Sequence, residues 1–379
     1  MRPPLESQTR LKNTPRPLWA RAMICVTSKR RQIPIQRVFL NLNPIIDASF
    51  ATAYEHRGSR PGIPYSIAGK MIQLPSSAGV KAVEVCALAT GQLYHPERWL
   101  FEDGDEDLMG SRKPYPDFSF LIRHHSGKNV LFDLGLTKDF DQVPELIRSL
   151  FHVITPVVEE DAVDILSRGP VAPVDINAVV LSHLHFDHVG DCTKFPDAEI
   201  VIGPGGKAAN GEGWPVNPKS PYSSAIAQHS KLRELSFEAD KWSPLGPFDR
   251  AYDYFGDGSF YLLDTPGHMV GHLGGLALTG TNEWVFMGGD CCHHRSILLG
   301  SRPMSVTDGP LGRCFHSDPK AAAETLQKIR QIETTGQVFV ALAHDSFLVE
   351  PMPQYPGTLN GWSHSTWYKD LQQVLDQNR

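Results

Sequence analysis

The sequence predicts an α/β fold, because short apolar runs typical of buried strands alternate with stretches that carry helix signals. Four of these runs are followed at once by histidine or aspartate residues: Ile176–Leu181, Ser259–Leu263, Glu283–Met287 and Gln337–Leu342. Sites in α/β proteins collect at the ends of strands, where loops converge. We therefore expect the polar residues that follow these four runs to meet at one edge of the fold.

Residues 1–76 differ in composition from the rest of the chain. The first 60 residues hold 11 Lys or Arg and only 3 Asp or Glu, although the whole chain has a net charge of −6. Such a basic stretch is typical of a mitochondrial transit segment or of a disordered extension. Pro3, Pro4, Pro15 and Pro17 interrupt any early amphipathic helix, which favours the extension. We predict one folded domain over residues 77–379.

Composition also limits the compartment and the partners. The six cysteines are scattered and form no CxxC pair, which predicts a reducing compartment. The cytoplasm is expected, with the mitochondrion as the alternative if the basic start is a transit segment. No run of about 18 apolar residues occurs, so we expect no membrane span. The acidic balance beyond residue 60 argues against nucleic acid and leaves a small-molecule substrate as the expected partner.

The first predicted elements are strands. Val80–Leu88 has the composition of a strand, and Phe118–Arg123 and Asn129–Phe132 predict a hairpin. His124 and His125 lie in its turn, where a surface position is expected. A helix is predicted over Asp161–Arg168, because Gly169-Pro170 would end it.

Residues 203–250 follow a strand at Glu199–Ile202 and are rich in Gly, Pro, Ser and Asn. Long irregular segments inside compact domains are usually functional. We predict a lid-like insertion that forms one wall of a substrate pocket. Two helices are predicted near the end of the chain, over Asp318–Ile332 with Asp318 as its N-cap, and over Ser365–Gln377.

The most informative stretch is Leu181–Asp191, which reads L-S-H-L-H-F-D-H-V-G-D. Alternate residues of an extended segment point the same way, so His183, His185 and Asp187 can share one side. His188 needs a bend in the chain to reach the same space. Imidazole and carboxylate groups are good ligands for zinc and its neighbours. Four such groups are too many for one tetrahedral ion with an open position, so they fit better if two ions share them.

Three later segments carry further candidate ligands directly after a strand. They read D-T-P-G-H-M-V-G-H with His268 and His272, G-G-D-C-C-H-H with Asp290 and His293, and A-H-D with His344. The ordered series H-x-H-x-D-H, T-P-G-H, G-D and a final histidine resembles the metallo-β-lactamase superfamily, over roughly residues 80–350.

This resemblance implies a four-layer αββα sandwich with two divalent metal ions at one edge. It implies that His183, His185 and His268 hold the first ion and that Asp187, His188 and His344 hold the second. Asp290 would bridge the two. Zinc is the expected metal, although such ligands also accept Mn, Fe or Co.

Within the superfamily the pattern is most similar to the N-acyl homoserine lactonases. The likeness implies a hydrolase that opens a small lactone by attack of a metal-bound hydroxide, with Asp187 both as ligand and as proton carrier. Those lactonases have a tyrosine three residues after the bridging aspartate, where this chain has His293. Because imidazole can also donate a hydrogen bond, we assign His293 a catalytic role toward the substrate.

Other activities share the same metal motif. They include hydrolysis of a γ-lactam such as a benzoxazolinone and a thioesterase activity of the glyoxalase II type. The mononuclear iron persulfide dioxygenases tend to lack some ligands of the second ion, and the complete set here argues against them. Nucleases of this fold usually carry a clamp domain and basic patches, and the acidic core argues against them.

Several residues near the motifs receive other roles. His272 is predicted to make a structural contact, because T-P-G-H already supplies a ligand. Asp133 would either orient a ligand histidine or cap its own loop. Cys291 and Cys292 are assigned to packing. His294 and His316 are expected to take no part in the site.

Overall fold

The computed structural model describes residues 72–307, 309–310 and 314–377. Most of the predicted extension over residues 1–76 lies outside the described residues, so that boundary stays a prediction. Ile72 and Leu74 already pack, partly buried, against the core. None of the described helices is both long and apolar enough to cross a membrane.

The first of two sheets has, in the described part of the chain, seven strands in the order β4-β1-β2-β3-β5-β6-β7. Its first half is antiparallel, and β3, β5, β6 and β7 run parallel. The strands are β1 (Glu84–Pro96), β2 (Arg112–Arg123), β3 (Asn129–Phe132), β4 (Pro156–Val157), β5 (Ile176–Val180), β6 (Glu199–Ile202) and β7 (Leu232–Glu234). The predicted hairpin of β2 and β3 is confirmed, although β2 begins earlier than expected.

The second sheet has six described strands in the order β13-β12-β11-β10-β9-β8. Only β12 and β13 pair in parallel; the other neighbours are antiparallel. The strands are β8 (Trp242–Leu245), β9 (Phe248–Asp253), β10 (Phe260–Asp264), β11 (Leu273–Gly280), β12 (Glu283–Met287) and β13 (Val338–Ala341).

The described helices are mostly short. They are α1 (Glu97–Leu100), α2 (Glu145–Arg148), α3 (Ala162–Ser167), α4 (Phe186–Val189), α5 (Gly206–Asn210), α6 (Ser224–Gln228), α7 (Arg295–Leu298), α8 (Pro319–Glu333) and α9 (Thr366–Gln377). The predicted N-cap of α8 is confirmed, since the Asp318 side chain accepts a hydrogen bond from the Ala321 backbone N–H. Asp161 caps α3 in the same way through Val163 and Asp164.

The elements form four layers. Ile165 and Leu166 of α3 pack with Leu131 of β3, so α3 covers the outer face of the first sheet. Leu326 and Ile329 of α8 join the core cluster of β12 and β13 and cover the outer face of the second sheet. On the inner side, Phe132 of β3 lies against Gly275 of β11. The αββα sandwich predicted from the resemblance is therefore confirmed.

Two parts of the prediction differ from the structure. Residues 203–250 are not irregular throughout, because they contain α5, α6, β7, β8 and the start of β9. β7 and β8 are the edge strands of their sheets. Both are short, and β8 contains Pro244, a residue that sheets tolerate at their edges. A short strand with a proline shows no clear strand pattern in the sequence. Strand β11 was not predicted, because it is buried on both faces and shows no alternation.

Candidate metal centre

The chain bends sharply after β5, and this bend assembles the centre. His185 is the N-cap of the one-turn helix α4, which contains Asp187 and His188. Gly190 ends the turn with φ of 47°. His183 and His185 therefore precede the turn, with His185 in extended backbone, whereas His188 lies within the helix. The bend that the spacing required is present.

Three imidazole nitrogens converge where the first metal ion is expected, which we call the first position. The Nδ1 atom of His185 lies 2.9 Å from Nε2 of His183 and 2.9 Å from Nε2 of His268. The Nε2 atoms of His183 and His268 are 3.1 Å apart. The Oδ2 atom of Asp290 lies 3.7 and 3.5 Å from these two nitrogens. The first position thus offers three nitrogens and one oxygen.

The second position lies on the other side of the same carboxylate. The Oδ1 atom of Asp290 is 3.1 Å from Nε2 of His188 and 3.1 Å from Nε2 of His344. The Oδ2 atom of Asp187 lies 3.7 Å from the same nitrogen of His344. Asp290 therefore directs one oxygen toward each group of histidines, and the structure brings all seven predicted ligands together.

This donor set fits divalent metal ions. Burial lowers the pKa of His183 and His268 well below the ordinary value, which keeps both rings neutral with a lone pair for a metal. The buried atoms His188 Nε2 and Asp290 Oδ1 make no hydrogen bond of good geometry within the described residues. Buried polar atoms need a partner, and a cation between them supplies one.

The second position carries the stronger negative field. Burial disfavours the charged form of His188, but the carboxylates of Asp290 and Asp133 outweigh it and raise the pKa of His188 well above its usual value. Asp290 likewise raises the pKa of His344 to about 9 against the effect of burial. Groups that stabilise a proton in this way also attract a metal cation.

Outer contacts fix the orientation of the candidate ligands. Asp133 accepts a hydrogen bond from Nδ1 of His188 at 2.9 Å. Two roles were considered for Asp133, and this contact is the one in which it orients a ligand histidine. The backbone N–H of Asp290 donates to Nε2 of His272 at 3.1 Å. His272 therefore makes the structural contact predicted for it. The Nδ1 atom of His344 lies 2.8 Å from the carbonyl oxygen of Pro116.

With this geometry in place, the comparison with protein families is decisive. A family model described as the metallo-beta-lactamase superfamily matches residues 112–334. The chain belongs to the metallo-β-lactamase superfamily. Proteins of this superfamily are metal-dependent, and the relatives of the chain include a metallo-hydrolase and gamma-lactamases.

Curated relatives cover most of the chain. The chain is 36% identical over 339 residues to cytochrome P450 monooxygenase mpaDE of Penicillium roqueforti. This match covers 81% of the chain but only 39% of that relative. The chain is 36% identical to metallo-hydrolase mfmC of Annulohypoxylon moriforme, over 77% of this chain and 85% of the relative. It is 32% identical to gamma-lactamase FDB1 of Fusarium pseudograminearum, over 67% and 72%.

Solved structures agree on the fold. An N-acyl homoserine lactone hydrolase, solved with N-hexanoyl-L-homoserine at its catalytic metal centre, superimposes with a TM-score of 0.57. The match covers 74% of this chain and 99% of that one at 18% identity. At this identity the likeness shows the metallo-β-lactamase fold and nothing more specific.

His293 and His316 border the first position of this metallo-β-lactamase centre. Nε2 of His293 lies 3.3 Å from Oδ2 of Asp290. His316, which was expected to take no part in the site, lies beside the first position. Its ring centroid lies 5.0 Å from that of His293 and 5.4 Å from that of His268. The loop before α8 brings it there, because the Ser317 N–H donates to the His268 carbonyl.

His294 and the two cysteines lie outside the centre, as predicted. His294 caps α7 and its Nε2 atom contacts Oγ of Ser346 at 2.9 Å. Cys291 and Cys292 are buried in the core cluster of the second sheet. Burial raises the pKa of Cys292 to about 12, so the thiol stays protonated and packs as an apolar group.

The sequence reading missed two buried residues at the second position. Asp117 of β2 is fully buried, and it forms a group with His188 and His344 in which one ligand-capable atom of each lies within 4.8 Å of the others. His95 of β1 is buried, and its ring centroid lies 6.4 Å from that of His344. Neither residue belongs to a spacing motif. Only the pairing of β1 with β2 brings them to the site.

Tyr222 of the segment 203–250 lies beside the centre. The ring of Tyr222 is nearly parallel to that of His185, with centroids 6.4 Å apart. Pro221 and Ser223 line a small groove together with Phe186 and the segment 142–144. This placement supports the pocket-wall role, whereas movement as a lid stays a prediction.

Proposed function

We propose that the protein is a dinuclear metal-dependent hydrolase that opens a small cyclic acyl substrate, with a lactone as the first candidate. One observation carries the proposal: Asp290 directs its two carboxylate oxygens to two separate groups of histidines. A carboxylate in this position can be shared by two ions. Zinc is the proposed metal at both positions.

Each residue has a role in this proposal. Two bound zinc ions would lower the pKa of water to about 7 and polarise the substrate carbonyl. His183, His185 and His268 would hold the first ion, and the second would be held by Asp187, His188 and His344. Asp290 would keep the two together.

Proton transfer would be the task of Asp187. It is 6% exposed and lies at the second position, next to Nε2 of His344. From there it can pass a proton to the ring atom that leaves the acyl carbon. His293 would donate a hydrogen bond to the substrate, since its Nε2 atom makes no hydrogen bond of good geometry with the described residues.

A γ-lactam is the second candidate substrate. It is supported by the similarity to a gamma-lactamase over two thirds of this chain. The metal positions suit either ring, because both substrates present an acyl carbon and a leaving heteroatom. Acyl-homoserine lactone and benzoxazolinone are the respective test compounds.

The decisive experiment measures turnover and zinc content in one sample. The zinc-loaded protein is tested on an acyl-homoserine lactone, a simple γ-lactone, a benzoxazolinone and a glutathione thioester. We expect ring opening with about two ions per chain. Cleavage of the thioester alone would move the protein to the glyoxalase II type of activity.

Variants connect the activity to the centre. His183→Ala and Asp290→Ala are expected to abolish turnover and to lower the zinc content. The matched control is His152→Ala, because His152 is exposed in the turn after α2 and its Nδ1 atom contacts only the Ser149 carbonyl oxygen, at 2.8 Å. Full activity of either site variant without zinc would refute the mechanism. For His293, the pH profile of His293→Tyr is compared with the parent, and an unchanged profile would remove His293 from the chemistry.

A further inference from the structure

Asp117 has the features of a residue that is built into a site. Its side chain is fully buried in β2. Oδ2 accepts a hydrogen bond from Oγ1 of Thr90 at 3.1 Å. The other oxygen, Oδ1, has no hydrogen-bond partner among the described residues. A buried carboxylate oxygen without a donor is costly, so its retention needs an explanation.

An irregularity in β1 creates the contact that holds this carboxylate. Ala89 pairs with Phe118 and Gly91 with Asp117, so Thr90 is an extra residue in β1, a β-bulge. Bulges re-aim side chains and are frequent next to active sites. The Thr90 hydroxyl also lies 3.0 Å from the main-chain oxygen of Asp117. Thr90 therefore contacts the side chain and the backbone of the same residue.

The segment that contains Gly135 packs against Thr90 and leaves space for its hydroxyl group. Gly135 has φ of 67°, and a Cβ atom there would lie 1.8 Å from Oγ1 of Thr90. Any side chain at position 135 would displace the hydroxyl. The bulge, the hydroxyl and the glycine together fix one rotamer of Asp117.

The position of Asp117 relative to the centre is equally fixed. The preceding residue, Pro116, accepts from Nδ1 of His344, and the following residue, Phe118, donates its backbone N–H to the Ala343 carbonyl at 3.1 Å. β2 is thus bound to the segment that carries His344 on both sides of Asp117. One ligand-capable atom from each of Asp117, His188 and His344 lies within 4.8 Å of the others.

We propose that Asp117 is a further metal ligand, whose Oδ1 atom adds an oxygen donor to the position formed by His188 and His344. This rests on the dinuclear centre proposed above. The two positions would then be chemically unequal. The first has three nitrogens and one oxygen, whereas the second has two nitrogens and three oxygens, from Asp117, Asp187 and Asp290. An oxygen-rich position favours harder ions and a higher coordination number.

The test follows zinc retention in the full-length protein as a zinc chelator of known affinity is added. Asp117→Asn keeps the size of the side chain and removes the charged oxygen. We expect it to lose one of its two zinc ions at a chelator concentration about tenfold to a hundredfold lower than the parent does. The other ion should be released as in the parent. Retention of both ions with the parent affinity would overturn the proposal.

Ser119→Ala is the matched control. Ser119 is on the same face of β2, is fully buried, and has a hydroxyl without a partner among the described residues. It should retain both ions as the parent does. A parent protein that binds fewer than two zinc ions would instead refute the dinuclear centre, and the two failures are therefore distinguishable.

Two variants of Thr90 keep the proposal testable if Asp117→Asn does not fold. Thr90→Val removes the hydroxyl and leaves the carboxylate, and it should weaken the same ion. Thr90→Ser keeps the hydroxyl and should keep the zinc affinity of the parent. Parent-like affinity in folded Thr90→Val would contradict the positioning of Asp117 by Thr90. The pair Asp117→Asn and His344→Ala should be non-additive, since both act on one position.

Discussion

His188 and Asp133 form a buried pair in which Nδ1 of the histidine lies 2.9 Å from Oδ2 of the carboxylate. Asp133 has φ of 62°, and it also accepts from the backbone N–H and the hydroxyl of Ser182. Three donors thus fix the carboxylate, and the carboxylate fixes the ring. This contact decides that Nε2 of His188, and not Nδ1, faces Asp290.

Replacing Asp133 should weaken metal binding without removing a ligand. In Asp133→Asn an NH2 group replaces one carboxylate oxygen. This group is a donor and cannot accept a hydrogen bond from His188 or Ser182. We expect zinc affinity to fall about tenfold to a hundredfold. Chelator competition measures it, with Asp175→Asn at an exposed turn as the control. Equal affinity of the two variants would show that the ring keeps its orientation without Asp133.

His272 should contribute to stability although it is not a candidate ligand. Its Nε2 atom accepts from the Asp290 N–H, so Nδ1 carries the proton and donates to Oγ1 of Thr265. His272→Ala leaves that buried N–H without an acceptor and should cost about 1–3 kcal/mol of unfolding free energy. Urea unfolding measures the loss. Thr265→Val, which keeps the acceptor for Asp290, should cost less, and the reverse order would contradict this account.

Arg295 should be critical for the second sheet. It is buried and contacts Oδ2 of Asp345 at 2.8 Å and Oε1 of Glu333 at 2.7 Å. Arg295→Met leaves the fully buried Asp345 uncompensated, so we expect a loss of about 3–5 kcal/mol in urea unfolding. The largely exposed pair of Arg168 and Glu160 provides the comparison, and Arg168→Met should cost less than about 1 kcal/mol.

Two glycines with similar backbone angles should respond differently to substitution. Gly135 and Gly336 have φ of 67° and 70°, but only Gly135 has a neighbour that an added Cβ would strike, Oγ1 of Thr90. Gly336→Ala should cost about 1–2 kcal/mol from the backbone alone. Gly135→Ala should cost clearly more and also lower zinc retention. Thermal unfolding with and without zinc separates the two effects.

Removing the metal should destabilise the fold by mass action. A ligand that binds only the native state stabilises it by about 2.7 kcal/mol at a free concentration of 100 times Kd. Excess chelator should therefore lower the unfolding temperature of the parent, and zinc should restore it. His183→Ala should respond less to either treatment. An unfolding temperature that is independent of chelator in the parent would contradict a metal centre that is occupied in the native state.

The sequence predicted the convergence of the candidate ligands well where they share a local motif. His183, His185, Asp187 and His188 lie within six residues, and the turn at α4 follows from that spacing. The single residues of later strands could be placed only through the family resemblance. Asp117 gave no signal, because one aspartate in an apolar strand is ordinary until the pairing partner is known.

Parts of the fold could not be predicted from the sequence for the same reason. β11 contains Gly274, Gly275 and Gly280 and is buried almost throughout, so neither alternation nor β-branched composition marks it. The glycines have a purpose only in three dimensions, since a Cβ at Gly274 or Gly275 would strike Phe286 or Met287 of the neighbouring strand. Such close approaches depend on tertiary contacts and are invisible in a local pattern.

The contact between His344 and Pro116 has a consequence for synthesis of the chain. These residues are 228 positions apart, so His344 cannot be oriented until nearly the whole domain has left the ribosome. Closing so long a loop carries a large entropic cost that only other tertiary contacts can offset. The proposed second metal position would therefore form late in folding. A chain truncated before β13 would still contain H-x-H-x-D-H and yet could not retain two ions.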